Sequence, residues 1–112
     1  MSFTEKRSHV RYVCDGGVEV RPEGSAGGFW GTLTDISLGG VYVQTFSPLA
    51  VGTQLSMRVQ TKMTEFRCSG HVQASHPGVG MGIIFEEFEQ GHRELMEALI
   101  KQLAAAAEAS KP

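Results

Sequence analysis

The sequence predicts a mainly β domain: a six-stranded antiparallel barrel, closed or nearly closed, with one α-helix at its C-terminal end. Three observations carry this expectation. Glycine is abundant, at 14 of 112 residues, and it falls between short apolar or alternating stretches instead of collecting in one linker. Apolar residues alternate with period two in Leu55, Met57 and Val59, and again in Phe66, Cys68, Gly70, Val72 and Ala74. From about Glu89 the period becomes that of a helix.

The candidate strands, in order, are residues 17–21, 29–35, 40–45, 54–61, 65–75 and 79–85. Residues 22–28, Pro-Glu-Gly-Ser-Ala-Gly-Gly, read as a flexible connection; Ser47-Pro48 and Gly52 break the next pair, and His76-Pro77-Gly78 reads as a tight reversal. Such short connections favour antiparallel pairing, because parallel crossovers need a dozen or more residues. Closing the sheet would also remove its exposed edges. The helix is expected over about 89–107. Its stripe is Leu95, Met96, Leu99, Ile100, Leu103, Ala104 and Ala107, with Glu97 and Lys101 placed to pair across a turn. Burying Leu95, Leu99, Ile100 and Leu103 would contribute on the order of 1.5–3 kcal/mol each. The chain thus divides into a partly flexible arm (1–12), the barrel with its helix (13–107), and a frayed tail (108–112).

Composition narrows the function. At 112 residues there is room for one domain and no catalytic partner domain. No run of apolar residues is long enough to cross a bilayer, and no apolar stretch follows Met-Ser-Phe-Thr-Glu-Lys-Arg, so a cytoplasmic protein without membrane insertion is expected. The formal net charge of −2 argues against wrapping a long nucleic acid, which needs an excess of base. Positive charge gathers instead at Lys6, Arg7, His9 and Arg11, where a small anion would be attracted. Cys14 and Cys68 lack metal spacing and are expected to be reduced and packed.

Two short segments carry the chemistry: Arg7-Ser-His-Val-Arg11 and Asp35-Ile-Ser37-Leu-Gly39-Gly40. Arginines four apart share one side of either a helix or an extended strand. Asp35 and Ser37, two apart at a strand end, also share a face, and Gly39 and Gly40 then allow positive φ and close backbone approach, exposing amides toward an anion. A guanidinium matches phosphate oxygens or the O6/N7 edge of guanine, whereas a carboxylate accepts from the N1/N2 edge of the same base. Alone, an arginine pair usually marks a solvated face, and D-x-S-x-x-G an ordinary strand-to-turn junction. Occurring in order, with Asp35 24 positions after Arg11, they point to a ligand bearing both guanine and phosphate.

This pair of motifs resembles the signature of the PilZ domain family, R-x-x-x-R followed by D/N-x-S-x-x-G, and Gly80-Met-Gly-Ile-Ile-Phe85 is similar to that family's last strand. The likeness extends over roughly residues 3 to 103. It implies a six-stranded split barrel with a C-terminal helix that binds the bacterial second messenger cyclic di-GMP. By the same resemblance, Arg7 and Arg11 would contact phosphates and the guanine O6/N7 edge, and Asp35 the N1/N2 edge. Ser37 would bond the ligand or fix the loop, Gly40 would permit close approach, and Gly39 is the glycine commonly found beside it. Lys6 occupies a position thought to influence whether one ligand or a stacked pair binds; a base there favours two, which bring about four negative charges together.

The expected function is a non-catalytic cyclic di-GMP receptor, without a further cofactor, that signals to an effector protein not yet identified; a homodimer is left open. The alternative is an interaction adaptor that no longer binds nucleotide, which would show a broken motif. A nucleotide-processing enzyme would need an activated nucleophile, a metal cluster or an acid/base pair, and only dispersed histidines and carboxylates are present. His71, His76 and His92 are therefore read as structural or surface residues, His9 as at most an aid to the anion, and Trp30 as core or barrel rim. Val41, Tyr42 and Val43 are read first as core, with one of them a candidate for apolar contact with a base.

Overall fold

The computed structural model describes residues 9–110. Six strands, β1 (Tyr12–Pro22), β2 (Phe29–Ile36), β3 (Gly40–Gln44), β4 (Gln54–Gln60), β5 (Glu65–His76) and β6 (Gly80–Phe88), precede one helix, α1 (His92–Ala109). The strands close into a barrel in the order β1-β2-β3-β6-β5-β4, every pair antiparallel. The mainly β fold class is thus the one the glycine spacing and alternation predict. Leu55, Met57 and Val59 point inward from β4, and Phe66, Cys68, Gly70 and Val72 from β5, because residues two apart share a strand face. They meet Val18, Val20, Leu33, Val43 and Ile83 in one core.

Turn chemistry matches local conformation. Gly78 has φ of 77° after Pro77, and the Val79 amide donates to the His76 carbonyl at 2.9 Å, which is a tight reversal with proline and glycine in its two central places. Two strand boundaries differ from expectation by more than one residue. β1 starts at Tyr12, five residues before the predicted strand, because one extra residue bulges between Val13 and Gly16 and pairing with β2 resumes beyond it. Asp15-Gly-Gly17 therefore continues the strand. β6 runs on to Phe88, held by Ser69, whose hydroxyl accepts the Glu87 amide at 3.2 Å, and by packing of Phe88 on Phe66 and Phe85.

The helix begins later and ends later than predicted. Gly91 sits at φ 83°, outside helical space, and the backbone turns helical at His92. The His92 imidazole ties this end to the barrel by accepting the Arg67 amide at Nδ1, 2.8 Å away. At the other end the Ser110 hydroxyl donates to the carbonyls of Ala106 and Ala107 at 3.0 and 3.1 Å. Met96, Leu99 and Ile100 are buried, and Leu103 packs partly against them. Leu95, expected in this stripe, is instead 39% exposed beside Met63, since successive residues point 100° apart and the docked face centres one residue later. Burial of the three inner side chains, on the order of 1.5–3 kcal/mol each, is what holds the helix down.

Cys14 and Cys68 are both free and buried, as packed thiols. Burial pushes the Cys68 thiol up to about 12 and raises that of Cys14 as well, so both are poor nucleophiles at neutral pH. The described residues contain no helix long and apolar enough to cross a membrane.

Candidate functional site

The turn between β2 and β3 is built from the D-x-S-x-x-G segment. Ile36 is fully buried at the end of β2, which turns its neighbour Asp35 outward. Ser37 is buried and closes the loop. Its amide donates to the Gly40 carbonyl at 2.9 Å, and its hydroxyl oxygen accepts the amides of Gly39 and Gly40 at 3.0 and 3.2 Å. Of the two roles foreseen for Ser37, the structure shows the one that fixes the loop.

Gly40 is required by packing. A Cβ placed there would meet the carbonyl oxygen of Ile83 on β6, which cannot move without breaking the barrel wall. The positive φ that Gly39 and Gly40 would allow is not used: the described glycines with positive φ are Gly24, Gly52, Gly78 and Gly91. Nor do the two amides form an anion cradle, because the Ser37 hydroxyl already occupies them. An anion at this turn would have to be held by side chains.

Such side chains arrive from the leading segment. Arg11, immediately before β1, brings Nη1 within 4.0 Å of Asp35 Oδ1. Two residues earlier, the His9 ring occupies the space a Cβ on Gly39 would fill, with Cδ2 only 2.6 Å from that position. The early start of β1 explains both contacts: Val13 pairs with Asp35 across the strands, and Arg11 follows on the same side. The ion pair is long and partly exposed, so it contributes at most about 1 kcal/mol and opens easily. Lys6 and Arg7 lie outside the described residues.

Of Val41, Tyr42 and Val43, read from sequence first as core with one a candidate for contact with a base, Tyr42 is the one that lies outside the core. Val41 and Val43 point into the core, as parity along β3 requires, and Tyr42 points out beside its cross-strand partner Asp35. Its hydroxyl bonds to His76 Nδ1 at 2.9 Å. Burial, and then the Asp35 charge, raise the phenol above its ordinary value, so it stays neutral in the physiological range. Parity could have revealed the direction of Tyr42, whereas its pairing with Asp35 depends on register.

The other histidines have structural partners, as expected. His71 Nδ1 lies 2.7 Å from Glu86, and His92 holds the helix start. Trp30 is not core: it is 49% exposed on the outer wall near the start of β2, lying over Gly17, with the Arg58 guanidinium 5.1 Å from its ring. On that side of the barrel a surface cleft of about 480 Å³ is lined by Glu19, Arg58, Arg67, Glu87 and Glu89. Its arginines are already engaged by carboxylates. Among the described residues, no group of three or more histidine, cysteine or acidic side chains is arranged to hold a metal ion.

A family model described as the PilZ domain matches residues 5–102. Among solved structures, the chain is similar to the inhibitor of motility MotI/DgrA of Bacillus subtilis, at 16% identity and a TM-score of 0.71, covering 95% of this chain and 53% of that one. It thus spans about half the length of that protein. The PilZ domain of CeSA from a cellulose-synthesizing bacterium matches at 20% identity and a TM-score of 0.65, covering 85% of this chain and 98% of the domain. The PilZ domain of YcgR from Escherichia coli, solved with c-di-GMP, matches at 15% identity and a TM-score of 0.67, covering 96% and 99%. At these identities the structural matches speak for the fold. No curated protein matches the sequence significantly.

Proposed function

Since the chain belongs to the PilZ domain family, we propose that it is a cyclic di-GMP receptor, a binding module without catalysis whose ligand sits on the outer wall between the leading segment and the β2–β3 turn. The observation that carries this reading is the approach of Arg11 to Asp35 at 4.0 Å. A guanidinium and a carboxylate that hold each other only loosely are free to exchange that contact for ligand groups of opposite character. Arg11, with Arg7, would take phosphate oxygens and the O6/N7 edge of guanine, while Asp35 would accept from N1 and N2. Ser37 and Gly40 contribute by fixing the turn, and Gly39 by admitting His9.

The YcgR domain solved with c-di-GMP supports the choice of ligand. Drawing the Arg7–Arg11 segment against the ligand alters the surface around the turn, and that altered surface is what an effector protein would recognise. The regulated process differs among relatives, one being an inhibitor of motility and another a domain from a cellulose-synthesizing bacterium, so we carry over the ligand and not an output.

Calorimetric titration with cyclic di-GMP, cyclic di-AMP and GTP tests the reading. Binding of the first with marked discrimination against the second is expected, because adenine offers a donor where guanine offers O6. Absence of heat with cyclic di-GMP overturns it. Lys6 adds a finer expectation of two ligands per chain; a stoichiometry of one removes that role alone.

A further inference from the structure

Across the outer wall, side chains of four neighbouring strands fall into a row: Asp35 on β2, Tyr42 on β3, the bare positions Gly80 and Gly82 on β6, and His76 at the end of β5. The glycines make a trough in which the Tyr42 ring lies. A Cβ on Gly80 would stand 2.7 Å from Tyr42 Cε2, and one on Gly82 would lie 3.8 Å from Cδ1. One face of the phenol ring is thus backed by peptide. The ring is also held at its far edge by the 2.9 Å bond to His76 Nδ1. The two rings are inclined by 29° with centroids 6.0 Å apart, and since the bond joins edge to edge, the imidazole extends the phenol laterally and does not cover it.

Resting on the reading of the site as a cyclic di-GMP receptor, we propose that Tyr42, laid over Gly80 and Gly82 and braced by His76, is the shelf on which one purine of the ligand stacks while Asp35 reads that base's edge. A flat π surface beside a carboxylate fits this task. Stacking supplies affinity without base preference, and the neighbouring acceptor supplies the preference. The bracing matters because a ring already fixed in place loses little freedom when the base arrives.

Nuclear Overhauser contacts in the complex of the full chain with cyclic di-GMP test the shelf directly: guanine protons should contact the Tyr42 ring protons and shift upfield. Titrations of variants supply the energetics. Tyr42→Leu, which keeps an apolar side chain but removes the flat face, should weaken binding roughly ten- to a hundredfold. Tyr42→Phe keeps the face and loses the brace, so it should recover most of that loss and bind within about threefold of the parent. Binding by Tyr42→Leu equal to the parent's, a loss in Tyr42→Phe as large as in Tyr42→Leu, or a complex without contacts to Tyr42 would each overturn the shelf. A parent chain that binds no cyclic di-GMP overturns the reading of the site and the shelf with it. Should Tyr42→Leu melt early, the contacts in the parent complex decide.

Discussion

The barrel carries arginines on two sides, and they are held very differently. On the β1–β4–β5 side, Arg58 donates to Glu19 at 3.0 and 3.2 Å, reaches Glu65 at 3.5 Å and covers Trp30, while Arg67 joins Glu65 to Glu89. On the other side, Arg11 meets a carboxylate of Asp35 at 4.0 Å. A guanidinium whose donors already face carboxylates and whose plane lies on an aromatic ring would have to give up those contacts to take an anion, whereas Arg11 gives up little. The cleft near Arg58 is therefore the poorer candidate for an anionic ligand, and partner geometry is a better guide than concavity.

Substitutions sharpen this contrast. The largest effect is expected from Gly40→Ala, whose methyl would collide with the Ile83 carbonyl; a loss of roughly 2–4 kcal/mol in denaturant unfolding should follow. Next is Arg11→Ala, which should weaken cyclic di-GMP binding roughly ten- to a hundredfold while leaving the melting temperature nearly unchanged. Arg58→Ala should do the reverse, lowering the melting temperature and sparing the ligand. If the two arginine variants behave alike in both assays, the distinction between the two sides fails. Ser37→Ala strips two amides of their acceptor and should cost about 1–2 kcal/mol of stability, with binding weakened through the loosened turn.

The effect that is smallest at neutral pH concerns the buried thiol. Cys68 titrates near 8.5 in an unfolded chain and only near 12 in the folded one. Below the unfolded value the group's contribution to stability is complete, and it is lost as pH rises from there toward the folded value. Urea midpoints should therefore fall more steeply between pH 8.5 and 11 in the parent than in Cys68→Ala. The native thiols should also resist an aromatic disulfide reagent at pH 8 until the protein is unfolded.

What could be read from the sequence tracks how local the cause is. Turn chemistry at His76-Pro77-Gly78 and alternation in β4 and β5 are set by neighbours along the chain, and these elements fall where expected. The start of β1 depends on a bulge that only pairing with β2 makes stable, so the strand read from sequence began only at Gly17. Within the candidate site, the motif pointed to Arg11, Asp35, Ser37 and Gly40, but the packing reason for Gly40 lies in β6, 43 positions away at Ile83. The place of Tyr42 required the register of three strands, which no local pattern supplies.

Closure of the six strands into a continuous wall has a further consequence. A sheet with a free border can recruit a partner by lending it main-chain hydrogen bonds, largely regardless of the partner's side chains. A cylinder has no such border to lend. A partner that reads the cyclic di-GMP-bound state proposed above would therefore have surface decoration alone to distinguish: side chains, the leading segment and the proposed nucleotide, presented on a closed drum.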